Sequence, residues 1–385
     1  MSKKLSVFFL HNVVSPYRLP VFEEINKSVD LDVNFCVART SDRKWNIDLR
    51  GYSFKYRILK SWRIGPFIVN PNLLSALLQT SHDVYLVGDF PETAVSTFIT
   101  VLVAKMRRKP VVLWSETIDN RVIYYQNLAI SPKTSHRWLL AMLTGIITTY
   151  RKLLLGAPTT VAALSRNAYD FLLSQNVPAS KIISGIQVYP SELLAASDTP
   201  KSDSPYAGRT VLLYLGYLNT LKGIDDLIAA VKQISDTNIR LLIVGDGPQK
   251  QQLRDLARED SRIQFIGYTE GTAKANLMSW ADLFILPTLA DCWGMVVNES
   301  LYYGAPVIVT TAAGSAEIIV NDVNGKTVAP GDPQALAAVI CALTKDKRSL
   351  DALKNGAAKT TSNITDSRVG AKPLIEAIIR AGAVS

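Results

Sequence analysis

The chain has 385 residues, 48% hydrophobic and 19% charged, which is too apolar for a disordered chain or a coiled-coil rod and, at about 150 residues per domain, long enough for two. The formal net charge of +9 is confined to one half: residues 1–200 hold 23 Lys/Arg against 14 Asp/Glu, and residues 201–385 hold 19 of each. One lobe is therefore suited to an anionic surface, while the other is electrostatically ordinary. Cys36, Cys292 and Cys341 are far apart and form no C-x-x-C pair, so a disulfide framework and a zinc site are excluded and the reducing cytoplasm is the expected compartment.

In chain order, LSVFFL behind Lys3 and Lys4 imitates a signal peptide. His11, Asn12 and Pro16 follow at once and no small-residue cleavage site does, so the segment predicts a first buried strand. LDVNFCVA, DVYLVG, PVVLW and TTVAALS continue the strand series, followed by VLLYLG, IRLLIVG, IQFIG, DLFILP and APVIVT in the second half. Short apolar β-branched runs separated by helix-length amphipathic segments predict parallel strands covered on both faces. No membrane span is expected. The uncharged run Trp138–Tyr150 has 13 residues, short of the ~20 that cross a bilayer, and the run Ile64–His82 is broken by Pro66 and Pro71.

Residues 1–190 and 209–366 thus predict two doubly wound α/β domains, joined by the Ser/Pro/Asp-rich stretch 191–208 as a linker. The tail 367–385 has a helical apolar pattern at Val369, Leu374, Ile375, Ile378 and Ile379 that suits packing on either lobe.

The chemistry is concentrated in DLFILPTLADCWGMVVNESLYYGAPVIV, residues 282–309. A strand ends in a loop that opens a helix at about Trp293, closing at Gly304. Asp291 stands just outside the helix and Glu299 two turns in. Such a loop predicts an anion site, with phosphate the expected guest and the second carboxylate suited to ribose hydroxyls. A plain N-cap and a solvated helix carboxylate are the alternative. VLLYLGYLNTLKGIDDLI sets Gly216 at a strand end and Lys222 and Gly223 before a helix, where a lysine suits a diphosphate leaving group. IRLLIVGDGPQKQQL carries Gly245 and Gly247, but Lys250 where a third glycine belongs, which excludes an ordinary NAD site. Phe265, Gly267 and Tyr268 lie at another strand end, suited to border a nucleobase or simply to pack.

Together these pieces resemble the C-terminal half of the GT-B glycosyltransferases, in particular glycosyltransferase family 4: strand-G-x-L with K-G, then VGDGP, F-x-G, and an E-x7-E element, here Asp291 to Glu299, followed by GAPVIVTTAAGSAE. In the first half NVVSPYRLPVFEEI is similar to the P-Y-R-x-P-x-F opening of many bacterial members, and LWSE ending at Glu116 to one of their strand ends. The resemblance implies two Rossmann-like domains facing a central cleft. It implies a retaining transferase that takes a hexose-type sugar from a nucleotide diphosphate sugar, without cofactor or metal, to a glycan or lipid-linked acceptor in cell-surface polysaccharide or glycoconjugate synthesis. Asp291 would touch the donor sugar, Glu299 the ribose, and Lys222 the departing diphosphate. Gly216, Tyr217, Gly245, Gly267, Tyr268, Cys292, Trp293 and Gly294 complete the implied donor site, and His11, Ser15, Tyr17, Arg18 and Glu116 the acceptor side.

Three departures stand out: Asp291 replaces the first Glu, Tyr217 replaces an Arg after the strand-end glycine, and the glycine-rich loop after the first strand is absent. Arg18 is the candidate to supply the missing charge across the cleft. His82 and His136 have no metal-ligand partners at sequence spacing, and no DxD-type pair follows a strand, so no metal is expected. The basic clusters Arg57/Lys60/Arg63, Arg107/Arg108/Lys109 and Arg137/Arg151/Lys152 suit peripheral contact with an anionic membrane or a plain solvated face. They lack the interleaved aromatics of a nucleic-acid platform. A nucleotide-sugar epimerase and a non-catalytic nucleotide-sugar binder are the competing classes.

Overall fold

The computed structural model describes residues 4–39, 48–65, 67–118, 145 and 149–384. The chain divides into two units, Met1–Ile186 with Ser367–Ser385, and Gln187–Asp366.

The first unit is built on seven parallel strands in the order β3-β2-β1-β6-β7-β8-β9. These are β1 (Ser6–Val13), β2 (Asp30–Val37), β3 (Lys55–Ile58), β6 (Val84–Gly88), β7 (Val111–Ser115), β8 (Thr160–Ala163) and β9 (Ile182–Ser184). β4 (Trp62–Ile64) and β5 (Phe67–Val69) form a separate antiparallel hairpin. The central strands are buried on both faces, as their unbroken apolar runs predict. Helices α1 (Leu19–Ser28), α2 (Leu73–Gln79), α3 (Ala94–Met106) and α4 (Arg166–Ser174) supply the cover. The short elements β3 to β5 and β9 carry no clear apolar alternation; a three- or four-residue strand takes its place from its paired neighbour rather than from its own pattern.

The second unit has six parallel strands in the order β12-β11-β10-β13-β14-β15. They are β10 (Thr210–Leu215), β11 (Ile239–Val244), β12 (Ile263–Gly267), β13 (Leu283–Leu286), β14 (Val307–Thr310) and β15 (Gly325–Val328). Between them run α5 (Ile224–Lys232), α6 (Lys250–Ala257), α7 (Gly271–Trp280) and α8 (Val296–Tyr302); α9 (Pro333–Lys345) and α10 (Lys347–Thr365) follow. Renumbered from its own first strand, this is the order 3-2-1-4-5-6 of the doubly wound fold. α11 (Ser367–Gly382) joins the first unit, packing on α1 and β8, where Thr160 donates to the Ala377 carbonyl at 2.9 Å.

Two expectations change. The helix expected from Trp293 begins at Val296, because Gly294 takes φ +95° and cannot start a helical turn. The stretch 191–208, expected as a linker, is docked on the second unit. Trp280 donates to the Thr199 carbonyl at 2.8 Å, Tyr206 to Gln264 at 3.0 Å, and Lys201 pairs with Asp282. Residues 138–144 and 146–148 of the uncharged run, with His136 and Arg137, lie outside the described residues. His82 does meet a carboxylate, with Asp32 on β2 3.6 Å from its Nε2.

Asp282 anchors that docking. Its carboxylate accepts from Lys201, from Lys354 at 2.6 Å and from the Val211 amide at 2.8 Å. Burial alone would raise its pKa, but the two lysines outweigh burial and hold it below the usual range. A carboxylate depressed on folding adds stability above its unfolded value of about 3.9 and loses it as the pH falls through the folded one. Asp282→Asn is expected to cost about 2 kcal/mol at neutral pH. In urea unfolding, the gap to wild type should close as the medium falls below about pH 4.

Candidate functional site

In a sheet of order 3-2-1-4-5-6 the connections leaving strands 1 and 4 diverge, and the crevice between them opens at the carboxyl ends of the strands. Here these are the loops after β10 and β13. Lys222 ends the short turn Thr220–Lys222 after β10. The turn is clamped to the β13 loop: the Leu289 amide and the Thr288 hydroxyl both donate to the Leu221 carbonyl, at 2.7 and 2.8 Å. Gly223 makes this possible. It sits at φ +59°, and a Cβ there would lie 2.1 Å from the Pro287 carbonyl oxygen, an overlap no other residue avoids.

The clamp delivers Lys222 to Asp291, and the two form a half-buried ion pair. Asp291 is fixed on its other side by the loop after β14. Its amide donates to the Ala312 carbonyl at 3.2 Å, its carbonyl accepts from Gly314 at 3.1 Å, and its Oδ1 accepts from the Trp293 amide at 3.3 Å. Beneath the pair lies Tyr214, fully buried, whose hydroxyl donates to the Tyr217 carbonyl at 3.2 Å. Burial, and then the Asp291 charge, push this phenol well above its ordinary pKa.

Glu299, on α8, is buried and pairs with Lys274 of α7, whose Nζ also stands 5.7 Å from the centre of the Tyr189 ring. Of the expected donor residues, Tyr217 and Tyr268 are exposed at the ends of β10 and β12, and Cys292 and Gly294 are half-buried in the loop before α8. The Tyr268 phenol is pushed up to about 12 by partial burial and by its hydrogen bond to Glu270. The Trp293 side chain is buried: its indole N–H donates to Asn298, which in turn donates to the carbonyls of Gln187 and Ile364. Only the backbone of Trp293 is therefore on offer to a ligand. Gly245, at φ +140°, is explained by packing, since a Cβ there would stand 1.9 Å from the Gly216 carbonyl oxygen.

The first unit has its own convergence at the carboxyl ends of β1 and β7. Arg18 is buried, donates to both oxygens of Glu116 at 2.7 Å, and stacks over Trp114 with 4.9 Å from its guanidinium carbon to the ring centre. It also donates to His11 Nε2 at 3.2 Å, which acts as acceptor because a guanidinium only donates. Burial works against the Arg18 charge, but Glu116 and the Tyr17 phenol more than offset it and raise its pKa. Ser15 is buried and its carbonyl accepts from the Arg18 amide at 2.9 Å. His11, Ser15, Tyr17, Arg18 and Glu116 are thus one cluster. Within this unit the Arg18 charge is met by Glu116, both of whose oxygens accept from the same terminal nitrogen.

Sequence reasoning missed Lys274, Asn298 and Ser315. Lys274 lies 25 positions before its partner Glu299, on another helix, with nothing local to distinguish it. Asn298 and Ser315 are fully buried, and the Ser315 hydroxyl has no hydrogen-bond partner. Only the Asn one position before Glu299, in an apolar helix, was a usable signal. Among the described residues no group of three or more His, Cys, Asp or Glu is placed to hold a metal ion.

Residues 209–346 match the family model of the glycosyl transferases group 1. An uncharacterized glycosyltransferase of Methanocaldococcus jannaschii is 33% identical over 131 residues, 33% of this chain and 34% of the relative. The glycogen synthase of Mycobacterium tuberculosis is 32% identical over 147 residues, 37% of this chain and 36% of the relative. The chain spans about a third of the length of these curated relatives. In fold, Anabaena HepE in complex with UDP superposes with a TM-score of 0.74 at 17% identity, covering 97% of this chain and 99% of that one. Sucrose-phosphate synthase from Thermosynechococcus elongatus gives 0.73 at 16% identity, covering 99% and 100%. Residues 209–346 thus match the glycosyl transferases group 1, and the chain that carries them has the GT-B fold of these solved structures.

Proposed function

We infer that the protein is a retaining, metal-independent glycosyltransferase. It moves a hexose-type sugar from a nucleotide diphosphate sugar on the Gln187–Asp366 unit to a glycan or lipid-linked acceptor engaged by the first unit, in cell-surface polysaccharide or glycoconjugate synthesis. The observation that carries this reading is the meeting of Lys222 and Asp291 at the switch point of the group 1 unit. An arriving donor exchanges one anionic partner of Lys222 for another, a carboxylate for a diphosphate oxygen, and releases Asp291 to accept hydrogen bonds from sugar hydroxyls. Glu299, oriented by Lys274, takes the ribose hydroxyls, and Tyr217 and Tyr268 border the nucleotide.

The reaction then needs little beyond charge stabilisation. As the bond from the anomeric carbon to the diphosphate oxygen breaks, an acceptor hydroxyl forms its bond on the face that is vacated, and the departing diphosphate takes the acceptor proton. Lys222 neutralises the charge that grows on the leaving group. The neighbouring Anabaena fold is in complex with UDP and with UDP-glucose, which supports a uridine nucleotide as the first donor to try. The acceptor belongs with the His11, Tyr17, Arg18, Glu116 cluster, whose neutralised ion pair and aromatic walls suit a polyol. The positive excess of residues 1–200 supports contact with anionic membrane on the cytoplasmic side. A non-catalytic nucleotide-sugar binder is the second reading, favoured by a phenol, Tyr217, at the position of an expected arginine.

Incubation with a panel of UDP, GDP and ADP sugars should release nucleotide from one donor class, and Lys222→Ala should lower kcat by about 10² to 10³. Glu299→Ala should raise the donor KM about tenfold, the worth of one lost charge-assisted hydrogen bond. Binding of a nucleotide sugar without release from any donor would overturn the enzyme reading. Turnover should be unchanged in EDTA, and a loss restored by a divalent cation would remove metal independence. Arg18→Ala leaves Glu116 buried without its partner and should raise the acceptor KM about tenfold or more, with a smaller change in the donor KM.

A further inference from the structure

α2 and α3 bury Leu73, Ala76, Leu77, Val101, Val103 and Ala104 in one core with Phe8, Tyr85 and Val111 of the sheet. Both helices therefore cover the same face, and their outer sides point away from it together. Those outer sides are apolar. On α3, Val95, Phe98, Leu102 and Met106 form a single exposed stripe at helical spacing, with Phe98 48% and Met106 76% exposed; on α2, Leu74 and Leu78 are exposed one turn apart. The β4–β5 hairpin packs against α3 through β5 and adds Trp62, 62% exposed, and Ile64. Isolated exposed apolar residues need no explanation, but a contiguous set on adjoining elements marks an interaction surface.

Charge selects the occupant. No Asp or Glu occurs between Arg50 and His82 or between Thr93 and Ser115, the two stretches that build this surface. Its border carries Lys60, Arg63, Lys105 and Arg108, all exposed. Arg107 is not part of that border, since its guanidinium donates to the Thr80 carbonyl and the Tyr85 hydroxyl, and Lys109 stands 3.6 Å from Asp83. Two copies meeting through this face would oppose like charges, and Phe98 and Trp62, aromatics among otherwise aliphatic members, make no stacking platform for successive bases. Anionic headgroups neutralise the border while acyl chains take the stripe. α3 has 13 residues, about 20 Å against a hydrocarbon core of about 30 Å, so it lies on a membrane rather than crossing it.

We propose that the outer face of α2, α3 and the β4–β5 hairpin is a docking surface for anionic lipid, in which the apolar stripe inserts among the headgroups and the basic border holds it there. This rests on the membrane contact inferred above and deepens it by assigning the contact to an apolar stripe rather than to charge alone. The test is co-sedimentation with vesicles of phosphatidylcholine alone and of phosphatidylcholine with an equal part of phosphatidylglycerol, at low and high salt. Wild type is expected to sediment with the anionic vesicles only. The double variant F98S/L102S should bind them about tenfold more weakly at both salt levels, and K105E/R108E about tenfold more weakly at low salt. M106S, at the most exposed position of the stripe, should weaken binding in the same direction should the double variant fold poorly. Thermal midpoint and nucleotide release should match wild type in all three. Wild type that fails to sediment overturns the membrane contact itself. Wild type that sediments together with F98S/L102S and M106S leaves that contact standing and overturns this surface, whereas self-association abolished by F98S/L102S without lipid binding overturns both.

Discussion

The approach of the Thr220–Gly223 turn to the end of β13 is the constraint on which the second unit's chemistry depends. Lys222 and Asp291 are 69 positions apart, and neither holds the other in place unaided. Two hydrogen bonds to the Leu221 carbonyl and the bare Cα of Gly223 against the Pro287 carbonyl bring the loops within reach. The ion pair is what that backbone contact leaves facing the crevice. A half-buried pair adds modest stability by itself. What the pair does structurally is hold a cation and a carboxylate together at the carboxyl ends of β10 and β13.

Around that pair the supporting groups share one logic, in which each buried polar atom is answered by another polar group, near or far along the chain. Glu299 is answered by Lys274, the Trp293 indole by Asn298, and the free amide hydrogens of Asn298 by the carbonyls of Gln187 and Ile364. Each removes the desolvation cost of a buried group, and together they fix the start of α8 and the residue that projects from it. In the first unit the same role falls to Glu116, which accepts from both Arg18 and the Trp114 indole. A guanidinium engaged through both terminal nitrogens and stacked on an aromatic ring is a rigid wall rather than a mobile counter-ion.

Much of the fold was legible because parallel strands buried on both faces must be long apolar runs, and the ten runs read from the sequence supply the central strands of both sheets and the edge strand β12. The short edge strands β3, β9 and β15 were not, since three or four residues with mixed exposure hold their place through pairing. The stretch 191–208 looked like a linker by composition. What composition does not carry is Asp282 on the partner side, which draws in Lys201 and so docks the segment. The placement of Lys222, Asp291 and Glu299 near strand ends was legible from strand-turn-helix spacing, whereas the pairing of Lys274 with Glu299 was not, because it forms only where α7 and α8 meet.

The sequence by itself determined the parallel α/β character, the uneven charge and the carboxylates and lysine near the carboxyl ends of the second unit's strands, since these depend on local period and residue chemistry. Tertiary structure decided which charges meet. Arg18 is taken up by Glu116 and Arg107 by backbone carbonyls and a phenol, while Lys105 and Arg108 are left at the surface beside an apolar stripe. The physical reason is range: periodicity acts over a few residues, but an ion pair or a buried hydrogen bond forms only where the folded backbone brings distant groups within about 3 Å and removes the water between them.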